Sequence, residues 1–130
     1  MILDSSALVA ILFAEPGHLA LVDAILDADK AGVGAPTLVE ASRVFMGRLG
    51  TRNARSVEAL VERLGVSVLA FGAAEWQIAV EAFRRFGRGR HPAALNFGDC
   101  LAYATAKASR DTLLYVGRDF ARTDIKPAFP

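Results

Sequence analysis

Short β-rich apolar runs alternate with longer amphipathic stretches along the whole chain, and this alternation restricts the possible folds more than any other feature. Residues 1–3, 32–35, 66–71 and 113–116 read as strands, most of them bounded by glycine or an acid. The intervening segments 7–13, 18–29, 36–49, 53–64, 73–86 and 100–108 carry apolar residues at helical spacing. Examples are Leu19, Val22, Ile25 and Leu26 in the second of these, and Leu38, Val39, Ser42, Phe45, Met46 and Leu49 in the third. Strands that alternate with helices pair in parallel through right-handed crossovers. The expected fold is therefore α/β: a single-domain, three-layer sandwich with a short, mainly parallel sheet of four or five strands flanked by helices. Residues 125–128 are a candidate edge segment. At 130 residues the chain fits one domain, residues 1–130, and no repeat or internal linker divides it.

Four acids stand where a strand has just ended or a helix is just beginning: Asp4, Glu40, Asp99 and Asp119. In an open parallel sheet the strand ends on one side form a common crevice, so residues remote in sequence meet there. Two carboxylates ~4 Å apart repel by roughly 4 kcal/mol at an intermediate dielectric. A divalent cation removes that penalty, which makes the pattern a metal-site signature. Each acid also has a structural alternative, because carboxylates at helix starts satisfy free N–H groups and complement the macrodipole. Asp4 can cap the first helix, Asn96 with Asp99 three residues later resembles a capping box, and Asp119 can cap a short final turn. Glu40 lies deeper in its helix than a cap requires. Independent caps also have no reason to share one sheet edge. Ser6 and Asn96 read equally well as residues that orient these carboxylates from behind and as plain helix caps.

The remaining composition narrows the chemistry. One cysteine, Cys100, forms no internal disulfide and supplies no thiolate cluster, so a metal here is bound through oxygen. No histidine stands at a suggestive spacing from Cys100, and it reads as a small buried side chain. A formal net charge of +1 argues against coating nucleic acid by bulk electrostatics. Two local basic groups remain: Arg43, Arg48, Arg52 and Arg55, and Arg84, Arg85, Arg88, Arg90 with His91. They read either as solvated helix faces or as a cradle for an RNA backbone. Trp76, Phe83 and Phe86 follow helical spacing and read as core or dimer surface. A 53% hydrophobic composition exceeds what a solvated surface needs and points to a partner. No apolar run reaches the ~18 residues of a membrane span, and the first residues lack the basic flank of a secretory signal, so a cytoplasmic protein is expected.

The residues carrying these acids resemble a known family. Met-Ile-Leu-Asp-Ser-Ser-Ala-Leu-Val-Ala-Ile around Asp4, Ala-Pro-Thr-Leu-Val-Glu-Ala around Glu40, Leu-Asn-Phe-Gly-Asp-Cys-Leu-Ala-Tyr-Ala around Asp99 and Leu-Leu-Tyr-Val-Gly-Arg-Asp-Phe around Asp119 occur in the order seen in VapC-type toxins, the PIN-domain ribonucleases of bacterial toxin–antitoxin pairs. The chain resembles that family over essentially its whole length. One departure is the Gly117-Arg118 pair, where many relatives place a small hydroxyl or an acid before the closing Asp-Phe. Asp124 is a possible substitute for Asp119, although it reads more readily as a turn or surface residue. The resemblance implies endonucleolytic hydrolysis of RNA dependent on Mg²⁺ or Mn²⁺, with Asp4, Glu40 and Asp99 holding the ion. Asp119 would hold the ion or position water. It also implies a VapB-type antitoxin that occupies the toxin's groove, and a homodimer.

Two other classes compete with this reading. A phosphotransferase or phosphatase with an aspartate nucleophile would also begin with an acid ending its first strand, but such sites want a second acid two residues on, where this chain has Ser6, and a phosphate-holding lysine, whereas Lys107 is poorly placed. A noncatalytic interaction module would tolerate loss of every acid.

Overall fold

The computed structural model describes residues 1–129. Four strands form one sheet in the order β3-β2-β1-β4, every pairing parallel: β1 (Ile2–Leu3), β2 (Gly32–Gly34), β3 (Ser67–Leu69) and β4 (Leu113–Leu114). Ile2 registers with Gly32 on one side and with Leu113 on the other. The strands are very short because each is followed almost at once by a helix cap or a turn. Residues 125–128 contribute a single bridge, Leu113 with Pro127, in place of a fifth strand.

Side-chain alternation along each strand divides the interior into two cores. Ile2 and Leu113 face α5 (Ala73–Phe86) and α6 (Phe97–Ser109), packing with Phe86, Leu95, Tyr103 and Phe120. Leu3, Val33 and Leu114 face the opposite layer, made of α1 (Ser5–Leu12), α2 (His18–Leu26), α3 (Ala35–Leu49) and α4 (Ser56–Arg63), and pack with Leu8, Ile25, Phe45 and Val61. The central strands are buried on both faces, as a parallel sheet covered by crossover helices requires. The expected three-layer sandwich is thus observed.

Several boundaries differ from the sequence reading. The segment read as one helix over 53–64 divides into a 3-10 turn at Thr51–Asn53 and α4. The final helix begins three residues earlier than expected, at Phe97, because Asn96 caps it. In α3 the buried stripe is Thr37, Ala41 and Phe45, leaving Val39 69% exposed. In α2 it is Leu21 and Ile25, with Leu19 and Leu26 outside. Of the aromatic residues read as core or dimer surface, Phe86 is buried, and Trp76 and Phe83 are exposed.

The topology places the site. The chain runs outward from β1 through β2 to β3, then crosses back to add β4 on the other side of β1. The strand order therefore reverses between β1 and β4, and the crevice of an open α/β sheet lies at such a reversal, beyond the carboxyl ends of the strands. Asp4 follows β1 and Asp119 follows β4 at this point.

Candidate metal centre

Asp4 leaves β1 in extended conformation and becomes the N-cap of α1. Its Oδ2 accepts from the backbone N–H of Ser6 at 3.0 Å and from the Ser6 hydroxyl at 2.6 Å. The Ser6 Oγ in turn accepts from the N–H of Val116 at 3.0 Å, tying the exit of β4 to the start of α1. The other carboxylate oxygen, Oδ1, is buried and has no hydrogen-bond partner among the described residues. Asp4 is thus both a cap and an acid with one oxygen to spare. An ionised carboxylate left in this state is costly, and such groups are usually paired or bound to metal.

Asp99 occupies the first turn of α6. Its Oδ2 accepts from the N–H of Asn96 at 2.8 Å, while the Asn96 Oδ1 accepts from the N–H of Asp99 at 2.9 Å. This reciprocal pair is the capping box read from the sequence, and it holds one carboxylate oxygen while leaving the second unbonded among the described residues. Glu40 comes from the second turn of α3 and lays its carboxylate directly against Gly98. A β-carbon at residue 98 would collide with both of its oxygens. Sequence reasoning missed Gly98. Its signal was a glycine one residue before an acid in a helix start, where nothing in the helix itself calls for one.

Asp119 begins a 3-10 turn, Asp119–Arg122, after Gly117 redirects the chain with φ +107°. That angle lies in the left-handed region favouring glycine, which accounts for Gly117 in this departure from the family pattern. Asp119 is exposed, and its carboxylate makes no hydrogen bond among the described residues. Asp124 is engaged elsewhere, by Tyr103 at 2.6 Å, Lys107 at 3.3 Å and Arg85 at 3.4 Å, and so does not replace Asp119 in the crevice.

The electrostatics show that the four acids share one neighbourhood. Burial first, and then the charges of Asp4, Asp119 and Glu40, push the Asp99 carboxyl up to about 7 against the opposing Asn96 hydrogen bond. Burial also raises Asp4, with Glu40 adding to it and the Ser6 hydrogen bonds resisting. The acids form an open crevice and not a closed cage: among the described residues no three acids, histidines or cysteines already converge around one point. An open set of hard oxygens fits Mg²⁺, which keeps several waters and takes few protein ligands. The unpartnered Asp4 Oδ1 and the mutual repulsion around Asp99 both fit a cation. Cys100 is buried beside this group, its thiol pushed up to about 11 by burial and by Asp99, which leaves it inert.

Most members of the two basic groups are already engaged. Arg84 pairs with Glu81 at 2.6 Å, Arg55 with Glu58 at 3.2 Å and Arg48 with Glu15 at 3.9 Å, and Arg90 lies over the Phe83 ring. His91 accepts from the N–H of Ala93 through its Nδ1 at 3.1 Å. Arg43, Arg52 and Arg88 make no ion pair among the described residues, and of these Arg43 lines a trough of about 410 Å³ with Glu40, Gly98, Val39, Phe71 and Phe97. Phe97 is 80% exposed and also borders a second, apolar hollow lined by Ala79, Val80, Phe83 and Leu101. No helix among the described residues is long and apolar enough to cross a membrane.

The PIN domain matches residues 1–126 of the chain. Ribonuclease VapC36 of Mycobacterium tuberculosis is 43% identical over 127 residues, covering 97% of this chain and 91% of that protein. Ribonuclease VapC42 of the same species is 39% identical, covering 98% of each. Ribonuclease VapC of Mycolicibacterium smegmatis is 38% identical, covering 96% of this chain and 97% of that protein. Among solved structures, Mycobacterium tuberculosis VapC20, described as a sarcin-ricin loop cleaving toxin, superposes with a TM-score of 0.79 at 18% identity, covering 99% of this chain and 98% of that one.

Proposed function

The chain belongs to the PIN-domain family as a VapC-type ribonuclease, and from that premise we propose that it is an endoribonuclease toxin whose Asp4, Glu40, Asp99 and Asp119 hold Mg²⁺ or Mn²⁺. One observation supports the assignment: the four acids come from separate elements near the strand-order reversal, where burial first and then the charges of Asp4, Asp119 and Glu40 push Asp99 up to about 7, and where a buried Asp4 oxygen has no partner among the described residues. A divalent cation bound there supplies Lewis-acid chemistry, acidifying water and offsetting charge that grows on the phosphoryl oxygens.

The chain's own side chains supply position and charge. Ser6 fixes the Asp4 carboxylate through two hydrogen bonds, so its free oxygen keeps one direction. Asn96 does the same for Asp99. Gly98 lets Glu40 reach across from α3. Exposed Asp119 orients the attacking water by accepting its hydrogen bond. Arg43, beside Glu40 and free of an acidic partner among the described residues, holds a phosphate of the RNA backbone.

Partners follow from the same reading. A VapB-type antitoxin blocks the crevice by filling the groove that opens into it, and a second copy of the chain covers an exposed apolar face. Val39, Phe97, Val80 and Phe83 around the crevice, and Leu19 and Leu26 on α2, supply apolar surface for these contacts. The test is cleavage of mixed RNAs in Mg²⁺, Mn²⁺ or EDTA by the wild type, Asp4→Ala and Asp99→Ala. Cleavage is expected only with metal and with both acids in place. Equal activity under all conditions would end the nuclease assignment.

A further inference from the structure

Asp124 lies five residues beyond Asp119, outside the acid crevice, and collects three partners from two helices. Its Oδ1 accepts from the Tyr103 hydroxyl at 2.6 Å, and its Oδ2 lies 3.3 Å from the Lys107 Nζ and 3.4 Å from the Arg85 guanidinium. Lys107 also donates to the backbone carbonyl of Asp124 at 3.2 Å. Tyr103 is 3% exposed and stands one helical turn after Asp99 on α6. The cluster therefore fixes residue 124 to the helix that carries Asp99.

The segment between Asp119 and Asp124 is rigidly braced. Phe120 is buried and packs its ring against Tyr115 with centroids 5.0 Å apart. Ala121 donates to the Arg118 carbonyl at 3.1 Å, and Thr123 donates to the Phe120 carbonyl through its N–H at 3.0 Å and its hydroxyl at 2.8 Å. The N–H of Ile125 closes the turn onto the Thr123 Oγ1 at 3.2 Å. The Asp119 carboxylate, by contrast, has no hydrogen-bond partner among the described residues. Its place above the crevice comes from this turn and from whatever anchors the turn's far end.

We propose that Tyr103 and Asp124 are positioning residues that fix Asp119 over Asp99 by locking the far end of the closing turn to α6. This rests on the assignment of Asp119 to the metal and water site. The Asp124 carboxylate is suited to the task. Partial burial works against its ionisation, but hydrogen bonds from Tyr103 and Lys107 outweigh that and hold it below its ordinary value.

The test is a double-mutant cycle on the full chain with Tyr103→Phe, Asp119→Ala and the pair together, reading Mn²⁺ affinity by calorimetric titration, RNA cleavage in Mg²⁺ and melting temperature. Asp124→Ala and Asp124→Asn serve as a second route to the same contact. Tyr103→Phe should weaken Mn²⁺ binding roughly tenfold, the lower end of what residues supporting metal ligands contribute. It should add nothing in the Asp119→Ala background, because it acts through Asp119. Asp124→Asn, which keeps an oxygen for the Tyr103 hydroxyl, should retain more affinity than Asp124→Ala. Additive effects of Tyr103→Phe and Asp119→Ala, or losses that merely follow melting temperature, would make the cluster structural only and overturn the inference. An Asp119→Ala protein with wild-type Mn²⁺ affinity and cleavage would overturn both the inference and the role given to Asp119, leaving Asp4 and Asp99 to be judged by their own variants.

Discussion

Replacing Gly98 by alanine separates the stability of this protein from its chemistry. The backbone at residue 98 is ordinary helix, so an alanine there is tolerated, and loss of glycine's freedom in the unfolded chain contributes about 0.4–1 kcal/mol in favour of folding. The new methyl, however, enters the space held by the Glu40 carboxylate. Ordinary contact with a β-carbon begins near 3.4 Å, so the carboxylate must retreat. Glu40 is only partly buried and its side chain is flexible, so the retreat costs little folding energy. A displacement on the order of 1 Å at a catalytic group is enough to lower turnover about a hundredfold. The expected Gly98→Ala protein therefore melts at or slightly above the wild-type temperature and cleaves RNA ten- to a hundredfold more slowly, by about 1.4–2.7 kcal/mol of activation free energy. Calorimetric melting and single-turnover cleavage of a defined RNA measure the two effects. Full cleavage activity in Gly98→Ala would refute the claim that the Glu40 position matters, and a large fall in melting temperature would refute the claim that only the site is disturbed.

Other expectations follow from the same geometry. With Asp99 raised from 3.8 to about 7, the native state binds more protons than the unfolded chain between those values, so stability of the metal-free protein should fall as pH rises from about 4 through 7. Melting temperature against pH in EDTA reads this slope, and Asp99→Asn should flatten it. Protons compete with the cation for the same carboxylate, so Mg²⁺ affinity should rise with pH up to about 7, and an affinity flat over that range would count against Asp99 as a ligand. Ser6→Ala leaves the N–H of Val116 and the Asp4 Oδ2 short of a partner and should cost about 1–3 kcal/mol in denaturant unfolding, together with weaker Mn²⁺ binding. Asn96→Ala removes a reciprocal cap and should cost about 1 kcal/mol, and no loss in unfolding free energy would contradict the capping account.

Local signals in the chain revealed much of this arrangement, and longer-range ones did not. Asp4 announced itself because a strand ending in an acid before two serines is a strong helix start, and the Asn96 and Asp99 pair is readable for the same reason. The side of each helix that would be buried was harder to see. A 3.6-residue period allows two neighbouring apolar stripes on α3, and only packing against α1, α4 and β2 selects Thr37, Ala41 and Phe45 over Val39 and Leu49. Contacts that join distant segments left no trace. The Asp124 partners lie 17, 21 and 39 residues away, and the room that Gly98 leaves for Glu40 depends on how two helices meet. The sequence accordingly placed Asp124 in a turn or surface role without naming its partners, and Gly98 went unnoticed.

The most direct test of the central claim is an anomalous difference map from a crystal of the protein soaked in Mn²⁺. The account predicts a peak in the crevice within coordination distance of the free Asp4 oxygen and of Asp99, lost in Asp4→Asn. A crystal that binds Mn²⁺ only elsewhere, at concentrations that support RNA cleavage in solution, would contradict it.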